Sequence, residues 1–207
     1  MKERPILFSG EMVRAVLDGS KTKTRRVIKR QPGGGVDGCY NRPDGLWIWL
    51  ACGGDQRESN TACGAGVGIS PLFACPYGMP GDRLWVRECF ADIPETAPGN
   101  MHYRASATAA DLEWFKDEGW KWRPSIHMPR WASRITLEIV SVKVERLQDI
   151  TEGDMIAEGI DAPQQIRSLE QAVELNSKWK KLWDSVAKDG FGWVDNPWVW
   201  VVEFKRI

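Results

Sequence analysis

Apolar and polar positions change rhythm several times along the chain, and each rhythm predicts a different element. Ile6-Leu7-Phe8 is a short apolar run after Pro5 and predicts a strand. Met12, Val13, Val16 and Leu17 fall at helical spacing, with Ser9 placed to cap a helix over Glu11–Asp18 and Gly19 placed to stop it. Thr22 to Ile28 mixes β-branched and long cationic residues and reads as a strand. Gly81 to Arg87 is a turn feeding a strand, and Met101 to Ala105 is another strand candidate. Arg134 to Leu147 is the longest β segment: Ile135, Leu137 and Ile139 alternate on one face, Val140, Val142 and Val144 on the other. That switch of phase predicts a bulge or bend near Ile139 or Val140. Thr151 to Glu158 reads as a short helix stopped by Gly159. Ser168 to Ala187 reads as the longest helix, on a stripe of Leu169, Val173, Trp179, Leu182, Trp183 and Val186. Trp198 to Ile207 is a closing strand. The order predicts a mixed α+β domain around a curved or closed sheet.

Residues 31–80 break the pattern. Eleven glycines fall there, with few periodic apolar positions. A structureless loop of that length is unusual in a compact domain, so the segment reads as a Gly-rich insertion with its own hairpin around Leu46-Trp47-Ile48-Trp49-Leu50. A length of 207 residues then suits one domain, residues 1–207, carrying that insertion.

Composition narrows the function classes. Twenty-eight basic residues balance 28 acidic ones, which excludes a protein that coats nucleic acid by bulk charge. A local basic patch exists all the same: KTKTRRVIKR, from Lys21 to Arg30, holds six cations and no acid. Twelve tryptophans are mostly packing residues, with a minority available to stack on bases. No apolar run is long enough to span a membrane. The apolar stretch near the N-terminus is too short for a signal peptide, so a cytoplasmic location and reduced cysteines are expected.

The basic patch also carries a resemblance. Gly19-Ser20-Lys21-Thr22-Lys23-Thr24-Arg25 matches the G-x-K-x-x-x-R signature of the ASCH domain. Gly81-Asp82-Arg83-Leu84-Trp85-Val86 and Trp198-Val199-Trp200-Val201-Val202-Glu203-Phe204 add to the match. The chain is similar to the longer ASCH proteins of tailed phages and prophages, which share openings like RPILFSGEMVRAVLDGSKTKTRR and a CPYGMPGDRLWVRE segment. The likeness covers most of the chain outside about residues 31–74. It implies a PUA-like small β-barrel with flanking helices, a cleft for a base or nucleotide, RNA, DNA or a modified nucleoside as partner, and no cofactor. A phage origin would place it in the host cytoplasm. Some small bacterial members are amidohydrolases that deacetylate N4-acetylcytidine, using a lysine and a threonine of this segment and a glutamate after a later L-T-E stretch. The matching positions are Lys21, Thr24 and, counting from Ile150-Thr151-Glu152, Glu158.

The residues support two chemistries. Metal-independent hydrolysis of an N4-acylated cytosine needs a nucleophile, a base and oxyanion donors. Thr24 offers a hydroxyl, and a neutral Lys21 can serve as base. Lysine titrates near ~10.4 in water; burial and the neighbouring Lys23, Arg25 and Arg26 push it down, whereas a carboxylate beside it pushes it up. Glu158 therefore fits better orienting the base ring or shuttling a proton. The alternative is a binding module in which Lys23, Arg25 and Arg26 hold phosphates, with Arg83 and Arg87 as a second fork on one face of a strand that also carries Trp85. Residues three apart in a regular strand point oppositely. Lys21 and Thr24 meet only if Lys21 lies in the turn after Gly19 or the strand bends.

Other chemistry is thin. Cys39, Cys52, Cys63 and Cys75 are separated by gaps of 12, 10 and 11 residues, without the close pairs that structural zinc sites use. His102 and His127 are the only histidines, too few for a His-based metal centre. No carboxylate cluster suits a two-metal nuclease.

Overall fold

The structure, a computed structural model, describes residues 1–32, 36–51, 72–93, 101–163 and 166–207. Its main sheet has five strands: β1 (Glu3–Leu7), β2 (Lys23–Val27), β6 (Arg83–Arg87), β9 (Thr136–Arg146) and β10 (Trp198–Arg206). They lie in the order β1-β6-β9-β10-β2, with β1 parallel to β6 and the other pairings antiparallel. The insertion supplies a second sheet from β3 (Val36–Asn41), β4 (Leu46–Ala51) and β5 (Phe73–Ala74). A third, two-stranded sheet joins β7 (Phe90–Asp92) to β8 (Met101–Tyr103). The helices are α1 (Gly10–Leu17), α2 (Ala109–Asp117), α3 (Glu152–Ala157) and α4 (Leu169–Val186). The class is mixed α+β. The main sheet is not a closed barrel: no backbone ladder joins its outer strands β1 and β2. A side chain does, because the Arg26 guanidinium on β2 donates to the Leu7 carbonyl at the end of β1 at 2.8 Å.

The WVWVV run of β10 explains its place. A strand apolar on successive residues must be covered on both faces. Trp198, Trp200, Val202 and Phe204 turn toward α1 and the insertion, while Val199 and Val201 turn toward α3 and α4; all six are buried. The expected closing strand is thus a central one. The insertion is part of the core: Trp47 packs edge-on against Trp200 at 5.5 Å and Trp49 against Trp198 at 5.3 Å. The expected hairpin forms, with β3 paired to β4.

The phase switch in β9 is a bulge. Glu203 faces Ser141 and Phe204 faces Ile139, leaving Val140 as the extra residue, 46% exposed. Because one residue is skipped, Ile135, Leu137 and Ile139 before it and Val142 and Val144 after it reach the same core. Ser9 caps α1 by accepting from the Met12 amide at 3.3 Å. In α4 the buried face is Leu175, Trp179 and Trp183. Leu169, Val173 and Val186 of the anticipated stripe are exposed, because only the middle of this helix lies over the sheet. Helix α2 and strand β7 have no counterpart in the sequence reading.

Candidate functional site

Two turns meet to form the site. After α1, Gly19 takes φ +84°, and the Lys21 amide then donates to Ala15 O at 2.8 Å. Lys21 therefore sits in the turn, ahead of β2, and forms an isolated bridge with Glu158. Glu158 ends α3, and Gly159 follows at φ +85°. A Cβ on Gly159 would lie 2.7 Å from Ala15 Cβ and 3.1 Å from Lys21 Cβ, so only glycine lets the two turns close together.

The Lys21 side chain is fully buried. Its ammonium donates to Glu158 Oε2 at 2.8 Å, Glu158 O at 2.7 Å and Lys23 O at 2.8 Å. Those bonds use all three of its donors. It also lies 5.6 Å from the centre of the Phe8 ring. Burial pushes the ammonium below the ordinary lysine range, with Arg26 and Arg25 adding repulsion, and Glu158 only partly offsets this. Glu158 is thus the charge partner of Lys21.

The strand and the helix match by period. Lys23 and Arg25 lie two apart on one face of β2, and Asp154 and Glu158 lie four apart on one face of α3. Lys23 Nζ meets Asp154 Oδ1 at 2.8 Å. The Arg25 guanidinium, also fully buried, reaches Asp154 at 2.9 Å, Glu145 on β9 at 3.3 Å and Glu158 at 3.5 Å. Three cations and three carboxylates thus neutralise one another. Burial raises the Asp154 titration, but the Lys23 hydrogen bond and the Arg25 charge outweigh it and hold the carboxyl at about 2. A carboxylate depressed in the fold contributes stability above its unfolded value of 3.8, and that stability is lost as pH falls toward about 2. Thermal unfolding between pH 5 and pH 2 should therefore show wild type losing stability more steeply than Asp154→Asn, and parallel curves would exclude the network as the source.

Thr24 faces the other way, into the core beneath α1, and is fully buried. Its Oγ1 has no hydrogen-bond partner among the described residues, Lys21 included. The Lys21 ammonium is bonded to the carbonyl of the peptide that links Lys23 to Thr24, so the two lie one peptide unit apart without touching. Arg26 shares the Thr24 face. It donates to Leu7 O and Arg25 O and lies 5.7 Å from the Phe8 ring centre.

Arg83 and Arg87 belong to a different region, two strands away from β10. They share a face of β6 with Trp85, as expected. Arg87 lies 5.3 Å from the Trp85 ring centre and donates to the Met128 and Ile126 carbonyls, and Arg83 lies 3.9 Å from Glu3. His127 is exposed on a short 3-10 turn, Ser125–His127. Cys52 and Cys63 lie outside the described residues. Cys39 is half-buried, its thiol pushed up to about 11 by burial, and Cys75 is buried. Glu145, Asp154 and Phe8 were not anticipated in the site. Asp154 falls four residues before Glu158 on the predicted helix, which is the signal that would locate it. No helix of the described residues is long and apolar enough to cross a membrane. Comparison with protein-family models, curated proteins and solved structures returns no match for this chain.

Proposed function

We propose that this protein binds a nucleobase, as a modified nucleoside or within RNA or DNA, in the manner of the ASCH domains that its Gly19–Arg25 segment resembles. The main sheet, its edges clasped by Arg26, takes the place of the PUA-like barrel in this reading. The observation that carries it is the Thr24 hydroxyl. A buried hydroxyl without a partner carries a cost of about 1–3 kcal/mol. The buried lysine bonded to the carbonyl just before Thr24 lies 5.6 Å from the centre of the Phe8 ring. A hydroxyl that can both donate and accept is what the polar edge of a flat base requires. Arg25 and Lys23 are taken up by carboxylates, so recognition centred on the base is favoured over a phosphate clamp at these residues.

Hydrolysis of an N4-acylated cytosine is the second reading. The downward push on the Lys21 titration favours it, since a neutral amine is needed for proton abstraction. In that reaction Thr24 Oγ attacks the acyl carbon, Lys21 Nζ takes the hydroxyl proton and the cytosine amine leaves with a proton. Water then releases the acid.

Thr24→Val tests both readings. It replaces an unpartnered hydroxyl with a methyl group of similar shape, so unfolding stability should hold within about 1 kcal/mol or rise. N4-acetylcytidine should be bound, or converted to cytidine and acetate by mass spectrometry, by wild type and not by the variant. Equal behaviour of the two proteins would remove Thr24 from the site.

A further inference from the structure

A second site lies where β2 runs out. Residues 27–32 and the insertion sheet enclose a cleft of about 810 Å³, within the ~300–1,000 Å³ range of small-molecule sites. Neither Lys21 nor Thr24 lines it. Trp49 and Trp200 form its buried floor, and the half-buried rings of Phe73 and Tyr77 flank it. Lys29 and Arg30 stand exposed at its rim, and neither makes an ion pair among the described residues. Among the described residues no carboxylate lines it.

This contrasts with the Lys21 group, whose cations are matched by acids. An aromatic cleft with unmatched positive charge at its edge complements a ligand that is flat and apolar at one end and anionic at the other. We propose that the cleft binds one purine nucleotide, its base packed against Tyr77 and Phe73 and its phosphate held by Lys29 and Arg30. Aromatic packing and charge pairing are the two interactions that single nucleotides offer irrespective of sequence. The cleft is large enough for a nucleotide with a purine base, and Tyr77 lies near Arg26, which partly offsets the upward push of burial on the Tyr77 phenol. A free nucleotide and a nucleotide within a single strand present the same chemistry.

The test uses 2-aminopurine riboside 5′-monophosphate and a single-stranded hexamer carrying one 2-aminopurine, whose fluorescence is quenched when the base stacks. The expected result is saturable quenching of at least one probe. Lys29→Ala/Arg30→Ala should weaken binding about tenfold or more, as two charge-assisted contacts are lost. For the hexamer the variant should also flatten the log–log salt slope by about 0.7, the value for one phosphate contact on a single strand. Leu72→Glu adds a carboxylate at a mouth position that is 44% exposed, where folding is not at stake, and should weaken binding likewise. Quenching of the monophosphate alone identifies a free nucleotide as ligand, and quenching of the hexamer alone identifies a strand. Lys29→Ala/Arg30→Ala should leave N4-acetylcytidine binding or turnover as in wild type, because neither residue belongs to the Lys21 group, and this separates the two sites. Absence of quenching with both probes, or quenching unchanged in both cleft variants, would overturn the proposal.

Discussion

Glu158→Ala should destabilise the fold by about 3–5 kcal/mol, a large share of the ~5–15 kcal/mol that holds a typical domain together. The carboxylate is the only charged partner of Lys21 among the described residues and one of three for Arg25. Its removal leaves an ammonium with no route to water, since the Lys21 side chain is 0% exposed. Urea unfolding should show a lower midpoint with an unchanged slope, the mark of altered stability without altered compactness. The loss comes from an orphaned charge, and not from a missing attraction. The double variant Lys21→Met/Glu158→Leu should therefore recover much of it, because removing both members of a buried pair is often near neutral. A cost under about 1 kcal/mol for Glu158→Ala would mean that the pair is hydrated and would sink the description of Lys21 as buried.

Trp200→Ala should cost a similar amount, about 3–5 kcal/mol by the usual measure of a large aromatic removed from a core. Its ring is 2% exposed and touches Trp47 at 5.5 Å and Phe73 at 5.6 Å. Together with the Trp49–Trp198 contact, this side chain fastens the insertion to the main sheet. Amide hydrogen exchange should quicken in β3 and β4 beyond the global change, because those strands lose an anchor on the sheet. Trp131→Ala is the control. At 68% exposure it should shift stability by no more than about 0.5 kcal/mol. Equal effects at Trp200 and Trp131 would contradict the core assignment.

How much of this was legible in the sequence depended on the range of the signal. Ser9, Gly19, Thr151 and Gly159 act on their neighbours, and the capped helices they announce are present. The bulge at Val140 was legible because a change of alternation is itself local. Helix α2 was not read, although Thr108 and Asp111 form a capping box at its start. It buries only Phe115, so no apolar stripe marks it. The ion pairing of the basic run from Lys21 to Arg26 was not legible for a different reason. In sequence it is a cluster of unopposed cations; in space Glu145, Asp154 and Glu158 come from more than a hundred residues away to neutralise three of them. Lys21, Thr24 and Glu158 were grouped through the resemblance; only packing reveals that the lysine is bonded to Glu158 with all its donors used and that the Thr24 hydroxyl has no partner among the described residues. Residue spacing does not encode which polar atoms go without a partner.

The central position of β10 has a consequence for the order in which the molecule assembles. β10 follows every other element in the chain, yet it separates β9 from β2, and it is the backbone partner of β2 in the sheet. As the ribosome delivers the chain, β2 emerges early and waits through about 170 residues for the strand it pairs with, and closing so long a loop slows folding. The turns around Lys21 can form before that, since they need only α1 and α3. Thr24 cannot be enclosed until Val202 lies beside it. During synthesis the hydroxyl therefore stays open to water until β10 pairs with β2.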